Sequence, residues 1–228
     1  MKKYLWYLLT LLIVLMMLTG CGKNETQTEK EIISEEQQEQ SLSFPYELEN
    51  GKLVINSLFQ SSIMNPDCRD EMGEDVATLE LENGSGEFLE SAEIVVTLTD
   101  GEELEFEISC IPDGEKVWVF EKSNKSIAKD AKCELITSKV NIAKASLMME
   151  DKVSVAEDGT MVTLNNLTEE TLSNLKIDFH CLFDGEVYYG GRIYTYPVER
   201  IEPGSSISFD VEECYLGEAK AVRITGND

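Results

Sequence analysis

Ala77-Thr78-Leu79-Glu80-Leu81-Glu82-Asn83 and Thr160-Met161-Val162-Thr163-Leu164-Asn165-Asn166 align without a gap at a separation of 83 residues. The match runs on: Leu89, Ala92, Ile94 and Val96 in the first stretch correspond to Leu172, Leu175, Ile177 and Phe179 in the second. In both, a run ending on asparagine is followed by a polar turn, a leucine, and apolar residues at every second position. Period two is the signature of a strand with one buried face. The alternating run ends at Asp100-Gly101 in one copy and at Asp184-Gly185 in the other. Asp-Gly between alternating runs predicts a hairpin, because both central positions of the favoured turn need positive φ.

Further along, Ile111-Pro112-Asp113-Gly114 and Ile201-Glu202-Pro203-Gly204 supply a second pair of turns. Each precedes a strand, with Val117 and Val119 in one copy and Ile207 and Phe209 in the other. The copies close on Val140-Asn141-Ile142 and Val222-Arg223-Ile224. Short strands at intervals of about 8 to 12 residues read as a β-sandwich. The expected fold is therefore all-β, with two tandem immunoglobulin-like sandwiches at 44–143 and 144–228 and a boundary near Ala143-Lys144. The only helix expected is one short turn over Ser126–Lys132.

The amino terminus carries a different signal. Lys2 and Lys3 precede an unbroken apolar run, Leu11–Leu18, and Leu18-Thr19-Gly20 places small residues directly before Cys21. Tyr4–Leu18 is short for a membrane span, which needs about 20 apolar residues. The segment resembles the lipobox of bacterial lipoproteins. That resemblance implies removal of residues 1–20 as a signal peptide, a diacylglycerol thioether on the Cys21 sulfur, and a place on the outer face of the cytoplasmic membrane. Two acyl chains anchor stably where one is marginal. The bilayer, met through acylated Cys21, is then the first expected partner. Residues 21–43 follow as a lipidated cysteine and a tether. Gly22–Ser43 holds six Glu, two Lys, four Gln and no aromatic residue. Such a composition cannot offset its ordering entropy, and as a coil it spans roughly 25 Å.

The second copy also resembles the FxLYD-type immunoglobulin-like domain of bacterial surface lipoproteins. The residues that carry the likeness are Asn165-Asn166-Leu167-Thr168, Leu172, Leu175, Ile177, Phe179, Leu182-Phe183-Asp184-Gly185 and Pro203-Gly204. Phe179-His180-Cys181-Leu182-Phe183-Asp184 departs from the pattern by one extra residue between Phe and Leu, and by Phe in place of Tyr. The family implies a sandwich and no catalytic residue.

Charge and residue counts narrow the function. The chain has 44 acids against 19 Lys and Arg, a net charge of −25 that becomes −27 once Lys2 and Lys3 leave with the leader. Nucleic acid is not the expected partner, because phosphate binding needs clustered Lys and Arg. One histidine allows no HExxH helix and no multi-histidine metal site. No catalytic residue, metal ligand or cofactor is assigned, and among 44 acids nothing singles out a glycosidase pair. A non-catalytic binding or scaffolding role is expected, with a protein or glycan partner. An envelope hydrolase is the remoter alternative.

Three features stand out as candidates. Cys181 and Cys214 are the one cysteine pair of the second copy, and outside the cytoplasm they are free to form a disulfide. Cys68, Cys110 and Cys133 of the first copy are odd in number, so at least one stays free or pairs between chains. Glu103, Glu105 and Glu107 alternate with Leu104, Phe106 and Ile108, and Glu80 and Glu82 repeat the pattern. These acidic faces are solvated surface or a place for a cation or small ligand. Finally, Tyr188-Tyr189-Gly190-Gly191-Arg192-Ile193-Tyr194-Thr195-Tyr196 holds four of the eight tyrosines. On a regular strand Tyr188, Tyr194 and Tyr196 share a phase. With Tyr189 and Arg192 they make either a binding surface or cross-strand packing. The glycine pair predicts a bulge or a close backbone approach.

Overall fold

Asn83 and Asn166 each end a strand, and both are buried and hydrogen-bonded in the same way. Asn83 Nδ2 donates to the carbonyls of Glu87 and Ile111, both at 2.9 Å, and its Oδ1 accepts from the Ser85 N–H. Asn166 Nδ2 donates to the carbonyls of Glu170 (2.7 Å) and Ile201 (3.1 Å), and its Oδ1 accepts from the Thr168 N–H. Each asparagine thus forms a local turn and ties it to the carbonyl before the Pro-Gly turn. The repeat seen in sequence is a repeat of this corner.

The structure, a computed structural model, describes residues 41–143 and 148–226. The leader, Cys21 and most of the tether lie outside the described residues, as does Lys144 at the expected boundary. The described strands in chain order are β1 (Tyr46–Leu48), β2 (Leu53–Asn65), β3 (Glu71–Asn83), β4 (Phe88–Leu98), β5 (Glu103–Ile111), β6 (Lys116–Phe120) and β7 (Cys133–Ala143). They continue with β8 (Val153–Asp158), β9 (Met161–Asn166), β10 (Leu172–Phe183), β11 (Val187–Ile201), β12 (Ser206–Asp210) and β13 (Glu218–Thr225). The fold is all-β, with packed sheets and single 3-10 turns but no α-helix among the described residues. Ser126–Lys132, expected to make a helical turn, is an irregular connection instead. Its Ile127 and Ala131 pack on the core, so side-chain burial fixes its path and not helix propensity.

Three sheets form: β1-β2-β3-β6-β11-β10-β13, β12-β9-β8 and β5-β4-β7. β2-β3-β6 and β5-β4-β7 of the first repeat match β8-β9-β12 and β11-β10-β13 of the second. The halves join where β6 pairs in parallel with β11, at Val117–Tyr188 and Trp118–Tyr189. Two buried clusters fill the space between sheets. One centres on Leu79, Leu89, Ile94 and Phe106, the other on Leu164, Ile177, Phe179 and Val211. Each borrows from the other half: Tyr188 and Val222 enter the first, Val76 and Phe120 the second.

Both Asp-Gly pairs sit in hairpins, between β4 and β5 and between β10 and β11, and Asp184 and Gly185 both have positive φ. The folded body begins earlier than residue 44. The Leu42 N–H donates to the Cys133 carbonyl at 2.8 Å, and the Leu42 side chain packs on the first cluster.

Candidate functional site

The tyrosine strand is where the halves meet. β10 and β11 pair regularly at Phe179–Tyr194 and again at Cys181–Tyr189, so one residue on β10 opposes four on β11. The surplus, Gly190 to Ile193, bulges out of the ladder. The bulge breaks the phase assumed from sequence: Tyr188 enters the first cluster, while Tyr189, Tyr194 and Tyr196 belong to the second. Tyr188, Tyr189 and Tyr194 are buried, at 2%, 8% and 9% exposure. Tyr196 is half-buried and Arg192 exposed. Tyr196 stacks on Phe209 and donates to Glu213.

What holds the bulge is the tip of the β2–β3 hairpin. Asn65-Pro66-Asp67-Cys68 makes a 3-10 turn, with Asn65 Oδ1 accepting from the N–H groups of Asp67 and Cys68. Asp67 then reaches across the junction. Its Oδ2 accepts from the N–H of Phe120 (3.0 Å) and Gly191 (2.9 Å), and its Oδ1 from the N–H of Arg192 (3.0 Å). Tyr189 Oη donates to the Met64 carbonyl and Arg192 Nη1 to the Pro66 carbonyl. Only glycine fits the contact: a Cβ on Gly191 would stand 1.9 Å from the Glu107 carbonyl oxygen. Burial pushes the Asp67 carboxyl up to about 6, against the three backbone donors and Arg192, which pull it down. No signal in the sequence singles out Asp67: Asn65-Pro66-Asp67 marks the bend but not the strand it docks on.

His180 is a second ionisable group at the junction whose titration is displaced. It is fully buried, Nε2–H donates to the Ser109 carbonyl at 2.6 Å, and the ring stands edge-on to Tyr188. Burial pulls its imidazole down to about 4, against the Ser109 bond and the charge of Asp178. Its Nδ1 has no hydrogen-bond partner among the described residues.

Cys181 of β10 and Cys214 are joined by a disulfide, with a Cα–Cα distance of 4.9 Å. Cys68, Cys110 and Cys133 are free thiols. Burial pushes all three thiols up, that of Cys110 to about 11, which keeps them protonated and unreactive at neutral pH. The acidic faces lie at the surface, laced by lysines. Lys122 bridges Glu105 and Glu107, Lys116 approaches Glu82 at 3.8 Å, and Glu80 accepts from Trp118 Nε1. Among the described residues, no group of three or more His, Cys, Asp or Glu is placed to hold a metal ion.

Beside the junction a narrow cleft opens between the β2–β3 tip, the β10–β11 ladder and the loop after Cys214. Tyr189 and Tyr194 form part of its wall, and Tyr215 and Leu216, 56% and 46% exposed, stand at its mouth. No protein-family model matches the chain, and a search of curated proteins finds no relative.

Proposed function

We propose that the protein is a lipoprotein held on the outer face of a bacterial cytoplasmic membrane through acylated Cys21, with a non-catalytic binding or scaffolding role at the cell envelope. The observation that carries this reading is the charged start, apolar run and small residues that close on Cys21. The body is read as two tandem immunoglobulin-like sandwiches of the FxLYD type, each built around its own asparagine corner and core. Three properties support a binding role: the acidic surface, the hydrogen-bonded junction and the cleft beside it. The glutamate rows offer less to a cation than the cleft does, because Lys122 already pairs with Glu105 and Glu107 and Lys116 with Glu82.

The test is Cys21→Ala, expressed in a Gram-positive host and fractionated. The folded body keeps its melting temperature and moves from the membrane pellet to the soluble fraction. A Cys21→Ala protein that is cleaved at its leader yet stays with the membrane refutes the anchor.

A further inference from the structure

The cleft beside the junction is built from aromatic and apolar side chains: Tyr189, Tyr194, Tyr215, Phe183, Met64 and Leu216. Its inner cavity is about 20 Å³, within about 330 Å³ of free space that opens to solvent at the mouth. The slot therefore admits one small group at a time, on the order of one or two water molecules in size. Two carboxylates stand in its wall, Asp70 from the hairpin tip and Glu213 from the loop before Cys214, and no Lys or Arg lines it. Arg192 stands over the Tyr194 ring 5.7 Å from its centroid, but lines a separate depression with Asp67. The disulfide fixes the wall that carries Glu213, because Cys214 is its neighbour.

An apolar slot with two acids and no base is matched to one kind of guest. A neutral apolar group would gain nothing from the two exposed carboxylates, and an anion would be repelled by them and by a chain of net charge −25. A metal ion finds too few oxygens here. A compact cation on an apolar stem satisfies both parts: its head meets aromatic rings and carboxylates together, and its stem covers the exposed Tyr215 and Leu216.

We infer that this cleft is a recognition site for an organic ammonium ion, with the head between Asp70 and Glu213 and the stem over Tyr215 and Leu216. Burial first, then Asp70, with Asp67 and Glu213 adding and Arg192 opposing, raises the Tyr194 hydroxyl well above its ordinary value. The ammonium can come from a free amine or from a lysine side chain of a polypeptide. The site belongs to the folded body and stands whether or not Cys21 carries lipid.

The experiment is saturation-transfer NMR and calorimetry on the full chain in a non-ionic detergent. The probes are n-butylammonium, Nα-acetyl-lysine methylamide and the neutral 1-pentanol. The cations bind with a Kd on the order of 1 mM, and 1-pentanol at least tenfold more weakly. Tighter binding of the lysine derivative assigns the source to a polypeptide; tighter binding of butylammonium assigns it to a free amine. The double variant Asp70→Asn, Glu213→Gln weakens cation binding at least tenfold with an unchanged melting temperature. Asn tolerates the left-handed backbone at position 70, where φ is 58°, and Gln still accepts from Tyr196. Equal binding of 1-pentanol, no binding of either cation, or a double variant that binds like the parent overturns the assignment. None of these results bears on Cys21, whose test is membrane fractionation.

Discussion

Asp67 and His180 should make the junction respond to pH in opposite senses, so that the parent protein conceals what each variant reveals. The folded Asp67 carboxyl titrates near 6 against an ordinary 3.8. Between those values the folded state binds the proton that the unfolded state has lost, so stability falls as pH rises through the window. For His180 the folded value is near 4 against 6.5. There the unfolded state binds the proton that the folded state refuses, so stability is lost as pH falls from 6.5 towards 4. At about 1.4 kcal/mol per pH unit, each gap amounts to about 3 kcal/mol. The perturbations are Asp67→Asn, which keeps a side-chain oxygen for the backbone donors, and His180→Gln, whose amide still donates to Ser109. Urea denaturation followed by circular dichroism at pH 4, 5, 6 and 7 gives the parent-minus-variant difference, in which the other acids cancel. The difference for Asp67→Asn falls by about 3 kcal/mol from pH 4 to 6, and that for His180→Gln rises by about 3 kcal/mol from pH 4 to 6.5. Two flat differences, or two slopes of the same sign, would refute the assignment of these groups as opposed titrants.

The asparagine corners and the disulfide give two further tests. Asn166→Ala removes the donor shared by the Glu170 and Ile201 carbonyls and strands the Thr168 N–H; a loss of about 2–4 kcal/mol is expected, and Asn83→Ala should cost a similar amount in chemical denaturation. Replacing both Cys181 and Cys214 with serine opens a loop of 33 residues, for which chain entropy gives a loss of about 3–4 kcal/mol, measured as a lower denaturation midpoint; a midpoint unchanged under reducing conditions would contradict it.

Much of the fold was legible in local sequence because its signals are local. Alternation in Leu104, Phe106 and Ile108 places these residues inside whatever they pair with. Asp184-Gly185 turns the chain because that pair tolerates positive φ. The gapless repeat carries the asparagine corner twice, since the same short-range bonds recur around Asn83 and Asn166. The tyrosine strand shows where local reasoning stops. Gly190-Gly191 announced a close approach, but not that the Glu107 backbone makes it at Gly191 and the distant Pro66-Asp67 tip at Gly190. Extrapolated alternation put Tyr188 and Tyr194 on one face, whereas the bulge sends them into different cores.

Composition and periodicity by themselves determined the all-β class, the strands that flank the paired turns, the turns and the acidic surface, because each follows from neighbours in sequence. Only the tertiary structure decided that β6 and β11 join the halves, that the tyrosines are wall and core more than open surface, and that Asp70 and Glu213 face one slot. Those outcomes depend on which edges and loops meet across long separations, and that choice is made by the free energy of burying both cores at once, which no single stretch of the chain contains.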